Sequence, residues 1–176
     1  MKILVKSRKY IEKQMENNSN WHFDKWIISI YSEGSYSPIH DRFNVLKLNF
    51  DDISERDIDT DIHNEIFFNE KHAKEIHEFI TSINDDCKKL FYIHCDAGIS
   101  RSGAVGYILN EYFNKYLIDN KEDYKFFEMN NSQIMPNPLV VRLLKKELFG
   151  ISFFGIEVND YEYNEDGEKI NHIERI

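Results

Sequence analysis

Cysteine is scarce in this chain. There are two, Cys87 and Cys95, and no Cys-x-x-Cys pair. That leaves no thiolate zinc site and fits a reducing compartment, where a free thiol persists. Basic excess is also missing: 22 Lys and Arg face 31 Asp and Glu, for a formal charge of −9. A surface of that sign repels nucleic acid and anionic lipid, so neither is an expected partner. Long apolar runs are missing too, since nothing approaches the roughly 18 consecutive apolar residues of a membrane span, and the apolar start at residues 3–5 is too short for a signal peptide. The chain is expected to be cytoplasmic. Seven histidines are present, but His72 and His77, on one expected helix, lie about 140° apart around it and do not share a face. Asp57, Asp59 and Asp61 imitate the start of a calcium loop, yet Ile62 and Phe68 stand where glycine and a bidentate glutamate are needed. No metal or other cofactor is expected. No repeat or linker interrupts the sequence, which reads as one domain over residues 1–150 and an acidic extension over 151–176. That extension has a hairpin signal at Asp166-Gly167.

What the chain does have is the run His94-Cys95-Asp96-Ala97-Gly98-Ile99-Ser100-Arg101-Ser102. It is preceded by the apolar Tyr92-Ile93 and followed by Gly103-Ala104-Val105-Gly106, a strand end and a helix start. A tight loop of this kind turns successive backbone N–H groups inward into an anion nest, with the positive end of the helix behind it. Gly98 lets the loop curl. Cys95 lies in the same field, which is expected to depress a thiol from about 8.5 to roughly 4 to 7 and make it a thiolate at neutral pH. Arg101 presents a planar fork that can hold two phosphate oxygens, which lysine cannot do. The nucleophile elbow Gly-x-Ser-x-Gly fails because Ser102 stands at its last place, and a Walker A loop fails because Gly103 is followed by Ala104 and Val105.

With His-Cys, five residues, Arg and Ser in place, the chain resembles the cysteine-dependent protein tyrosine phosphatase superfamily. The wording around Gly98 looks most like small dual-specificity members of bacteria and their viruses. The resemblance covers roughly residues 25–148. It implies attack of Cys95 on phosphorus, a phosphocysteine intermediate and release of phosphate by water, without a metal. It implies that residues 96–101, namely Asp96, Ala97, Gly98, Ile99, Ser100 and Arg101, bind the substrate phosphate. It further implies that Arg101 stabilises the transition state, that Ser102 stabilises the leaving thiolate, and that His94 orients the loop and supports a low thiol pKa through hydrogen bonds behind it. The implied partner is a phosphorylated protein carrying phosphotyrosine, with phosphoserine and phosphothreonine as further substrates. Some relatives form a protective disulfide with a second cysteine, which here would pair Cys87 with Cys95; a plain structural or surface role for Cys87 is the stronger expectation.

Such a reaction also needs a proton donor for the leaving oxygen. The alternating run Val45-Leu46-Lys47-Leu48-Asn49-Phe50 ends in Asp51 and Asp52. The family pattern Phe-x-Asp favours Asp52, with Asp51 next and Asp57, Asp59 and Asp61 also open. Two other readings keep the phosphate site: a phosphoprotein-binding module with weak turnover, and the same chemistry on an inositol, lipid or RNA phosphate. The loop interior carries an acid and no added base, which disfavours such polyanions.

Strand patterns fall at 2–5, 26–31, 44–50 and 89–94. Helical patterns fall at 70–83, after Ser102, and at about 138–149, where Pro136-Asn137-Pro138 supplies a start signal. Alternation of this kind predicts an α/β fold: a mostly parallel central sheet of four or five strands flanked by helices, with the loop at the carboxyl end of a strand.

Overall fold

The computed structural model describes residues 1–54, 66–83 and 90–150. Four short segments form its sheet: β1 (Ile3–Ser7), β2 (Trp26–Tyr31), β3 (Val45–Asn49) and β4 (Phe91–Cys95). They stand in the order β1-β4-β2-β3, and every pairing is parallel. β4 is central and buried along its whole length, as its apolar Phe-Tyr-Ile sequence requires of a strand covered on both faces. The expected α/β architecture is present, with four strands.

Helices cover the two faces. α2 (Glu70–Thr81), α3 (Arg101–Glu111), α4 (Lys121–Asn130) and α5 (Pro138–Phe149) pack over the larger core, where Ile28, Ile76, Ile93, Val105, Ile108, Val140 and Leu144 meet. α1 (Arg8–Asn17) lies on the other face, where Ile11, Ile27, Ile39 and Tyr92 form a smaller cluster. Burying one such isoleucine fully is worth roughly 1.5–3 kcal/mol, so the larger cluster dominates stability. β1, at the sheet edge, is tied by Asn131: its Oδ1 accepts from Val5 N–H at 2.7 Å and its Nδ2 donates to the Ile3 carbonyl at 3.1 Å.

Local sequence explains most element boundaries. Asn69 caps α2 by accepting from the N–H groups of Lys71 and His72, and His72 Nδ1 accepts from Asn69 N–H in return. The helix ends at Thr81 rather than at the expected residue 83. Asn137 caps α5 by accepting from the N–H groups of Leu139 and Val140, with Pro138 at the first turn. α3 continues beyond Glu111 as a π-helical segment, Tyr112–Leu117. The periodicity of the chain does not reveal α1 or α4, because α1 buries only Ile11 and α4 only Phe127. Among the described residues no helix is long and apolar enough to cross a membrane. Asp57, Asp59, Asp61, Cys87 and the extension with its hairpin signal lie outside the described residues.

Candidate active site

The loop from Asp96 to Ser100 joins the carboxyl end of β4 to the start of α3. Gly98 takes a φ of +75°, and a side chain there would also put its first carbon 2.5 Å from the Lys6 carbonyl carbon and the Ser7 nitrogen. Conformation and space both demand glycine. The loop therefore curls against the corner where β1 turns directly into α1.

Inside the curl, Cys95 is buried, with 2% of its surface exposed. Its Sγ accepts from Gly98 N–H at 3.3 Å and lies 3.1 Å from Ser102 Oγ. Both contacts hold the sulfur in place at the base of the loop. Ser100 stands at the N-cap of α3 but makes no side-chain cap, because its hydroxyl donates to Asp52 Oδ1 at 2.7 Å. Ser100 thus leaves the first N–H groups of α3 without a side-chain cap, the arrangement in which helix ends receive anions. Ala97 and Ile99 are exposed, and the Ile99 carbonyl accepts from Met135 N–H at 3.1 Å.

Arg101 is held from several sides. Its Nη1 donates to Ser32 Oγ at 2.8 Å and to the Phe50 carbonyl at 2.9 Å, and its Nη2 donates to Asp96 Oδ2 at 2.5 Å. Nε is buried and has no hydrogen-bond partner among the described residues. A buried guanidinium donor without an acceptor is costly, and a phosphate oxygen is the acceptor its chemistry fits. The loop residues, Cys95, Arg101 and Ser102 thus converge on one cradle.

Asp52 reaches this cradle from the end of β3. Phe50 is fully buried and its carbonyl is bound by Arg101, which fixes the backbone two residues before the acid. Asp52 Oδ1 accepts from Ser100 Oγ and, at 2.9 Å, from Asn137 Nδ2; among the described residues Oδ2 takes no bond. Asp51 points its chemistry elsewhere. Its Oδ2 accepts from Ile66 N–H at 2.9 Å and its own N–H donates to the Ile66 carbonyl at 2.8 Å, a two-bond clasp that closes the loop between β3 and α2.

His94 departs from expectation. Its ring is fully buried and neither ring nitrogen makes a hydrogen bond of ordinary geometry among the described residues, so the expected hydrogen bonds behind the loop are not formed. Burial pushes its pKa down to about 4, Arg8 adds to the effect, and Asp96 and the Cys95 backbone oppose it weakly. A neutral imidazole at pH 7 lends no positive charge to the loop; its ring fills space beneath it. The same burial makes stability pH-dependent. Above pH 6.5 neither state holds the proton, but as pH falls from 6.5 to 4 the unfolded chain binds it and the folded chain does not. Stability should fall by about 3 kcal/mol across that window. His22, likewise lowered chiefly by burial, acts in the same direction. Urea unfolding at pH 7 and pH 4 checks this, and the His94→Gln protein should show a flatter profile; an equal slope would contradict it.

Three contributors were not legible as site residues. Ser32 follows β2 and anchors Arg101. Asn137, legible only as a helix start, also binds Asp52 and donates to the Ile53 carbonyl at 3.0 Å, linking the acid to α5. Arg8 enters because the parallel register pairs Ser7 with Cys95, which brings Arg8 N–H to the Asp96 carbonyl at 3.1 Å. Beside the cradle lies a groove of about 610 Å³, lined by Ile99, Met135, Pro136 and Pro138 with Asp52 and Ser100 at its polar end. Among the described residues no three metal-ligating side chains converge.

No family model matches the sequence, and no curated protein matches it. Among solved structures, the human tyrosine phosphatase-like serine/threonine/tyrosine-interacting protein is similar over 82% of this chain and 89% of its own, at 18% identity and a TM-score of 0.49. The Cydia pomonella PTP-2 phosphatase is similar over 82% of this chain and 84% of its own, at 14% identity and a TM-score of 0.49. PTPMT1 in complex with PI(5)P is similar over 84% and 90%, at 14% identity and a TM-score of 0.47.

Proposed function

We propose that the protein hydrolyses phosphate monoesters on proteins, phosphotyrosine first and phosphoserine and phosphothreonine in addition, through a phosphocysteine at Cys95 and without a metal. The observation that carries this reading is the cradle itself: a buried sulfur that accepts from Gly98 N–H and lies 3.1 Å from Ser102 Oγ, beside the Arg101 fork whose Nε has no acceptor among the described residues. Sγ attacks phosphorus and the ester oxygen leaves with the bonding pair, taking a proton from Asp52. A water then attacks the phosphocysteine, Asp52 takes its proton, phosphate departs, and Ser102 Oγ donates to the sulfur as it becomes thiolate again. Throughout, Arg101, the loop N–H groups and the start of α3 hold the charge that develops on the equatorial oxygens.

The contact between Asp52 and Ser100 supports turnover over mere binding, because it keeps a carboxyl at the mouth of the cradle. The apolar wall of Ile99, Met135, Pro136 and Pro138 suits an aryl ring and flanking peptide. A polyanionic substrate is the poorer fit, since Arg8, the added base beside the loop, is already matched by Glu12 at 2.8 Å and by Asp96.

Hydrolysis of a phosphotyrosine peptide in the presence of a chelator tests the proposal directly, and turnover lost to the chelator would reject its metal-free form. The acid assignment predicts a leaving-group dependence. Asp52→Asn should lower kcat/KM by about 10²- to 10⁴-fold on a phosphotyrosine peptide and much less on an aryl phosphate with an activated leaving group. Asp51→Asn should instead cost stability through its clasp with Ile66. The reverse pattern would move the acid to Asp51.

A further inference from the structure

The cradle contains a carboxylate of its own, and its position has a chemical consequence. Asp96 Oδ2 holds Arg101 Nη2 at 2.5 Å, and its other oxygen lies 3.9 Å from Arg8 Nη1. The two guanidinium groups are fixed: the Arg101 side chain is 6% exposed and that of Arg8 17%. Arg8 donates through Nε to Glu12 Oε1 at 2.8 Å and through Nη1 to Ser35 Oγ at 2.5 Å, and its guanidinium lies over the Tyr36 ring at 4.7 Å. The Asp96 side chain, 46% exposed, is the partner with room to move. A phosphate needs the same Arg101 donors that Asp96 now engages. A carboxylate left on Arg101 beside a dianion would repel it.

We propose that Arg8 is a positioning residue of the anion site: it receives the Asp96 carboxylate when a phosphate group claims Arg101. The transfer needs a movement of only about 1 Å, from 3.9 Å to ordinary hydrogen-bond length. It breaks no backbone contact, because the Arg8 N–H to Asp96 carbonyl bond holds the two residues together. Asp96 is thereby an internal competitor that keeps Arg101 paired between turnovers, and Arg8 sets how readily the competitor yields. The proposal deepens the phosphatase reading and rests on it only in taking the loop as an anion site.

Calorimetric titration with inorganic phosphate, which needs no turnover, tests it on four proteins: wild type, Arg8→Met, Asp96→Asn and the double variant. Arg8→Met should weaken phosphate binding about tenfold and Asp96→Asn should tighten it about fivefold. In the Asp96→Asn background, Arg8→Met should change the dissociation constant by less than about twofold, the non-additivity expected of residues in contact. Arg8→Lys, which keeps the charge, should stay within about threefold of wild type, and thermal melts confirm folding of each variant. An undiminished loss on Arg8→Met in the Asp96→Asn background, whether Arg8 touches the anion itself or merely supports the fold, would overturn the proposal. So would weaker binding by Asp96→Asn alone. If the wild type binds no phosphate and hydrolyses no ester, the phosphatase reading falls with it; if the wild type does both and the coupling is missing, only this proposal falls.

Discussion

Turnover of an aryl phosphate by the Cys95→Ser protein is expected to fall by at least about 10⁴-fold, while the fold and phosphate binding persist. The expectation follows from what surrounds the sulfur. Gly98 N–H and Ser102 Oγ lie 3.3 and 3.1 Å from the sulfur, and among the described residues no carboxylate or imidazole hydrogen-bonds to it that could take a proton from a serine hydroxyl at that place. A serine at that place stays a neutral hydroxyl and a poor nucleophile. Because serine is slightly smaller and can receive the same N–H, the loop should keep its curl, so calorimetric phosphate binding should survive. Full activity in the variant would reject the nucleophile.

Arg101→Lys should lower kcat/KM by about 10³-fold. Loss of a single preorganised donor to a developing oxyanion costs about 10²- to 10³-fold, and lysine removes the paired Nε and Nη donors together. It also abandons the Phe50 carbonyl, which is buried and receives the Arg101 Nη1 bond at 2.9 Å, and so loosens the strand end that carries Asp52. An orphaned buried acceptor costs about 1–3 kcal/mol, which a melting curve would register. A fall in kcat/KM of less than tenfold would mean that charge alone serves and that the fork has no role.

The sheet was legible because its strands are apolar runs of the right length with helical periodicity between them, and β2 occupies the expected residues. The cradle's geometry was legible because it is local: nine consecutive residues, His94 to Ser102, carry the sulfur, the curl at Gly98 and the Arg101 fork. What escaped was everything brought in by register and packing. Nothing in the spacing of Arg8 shows that Ser7 pairs with Cys95, and nothing in Pro136-Asn137-Pro138 shows that the capping asparagine also grips Asp52. His94 differs from expectation for a related reason. Its place before the cysteine is visible in the sequence, whereas the lack of a ring hydrogen bond of ordinary geometry among the described residues and the fall of its pKa to about 4 follow from the burial of β4 between two strands and two layers of helix.

The order of elements accounts for the economy of the site. One parallel sheet brings the ends of β1, β2, β3 and β4 to the same edge, and these deliver Arg8, Ser32, Asp52 and Cys95 respectively. Each functional side chain lies at or just beyond a strand end, where backbone pairing fixes its base while the side chain reaches toward the cradle.

Covalent trapping tests the central claim most directly. The Asp52→Asn protein, mixed with a phosphate ester whose leaving group needs no proton, should accumulate an intermediate because the water that would hydrolyse it lacks a base. Acid quench and peptide mass spectrometry should then find one phosphoryl group on Cys95, absent when Cys95 is replaced by serine. A substrate turned over with no phosphoryl group on Cys95, or with the group on another residue, would contradict the account.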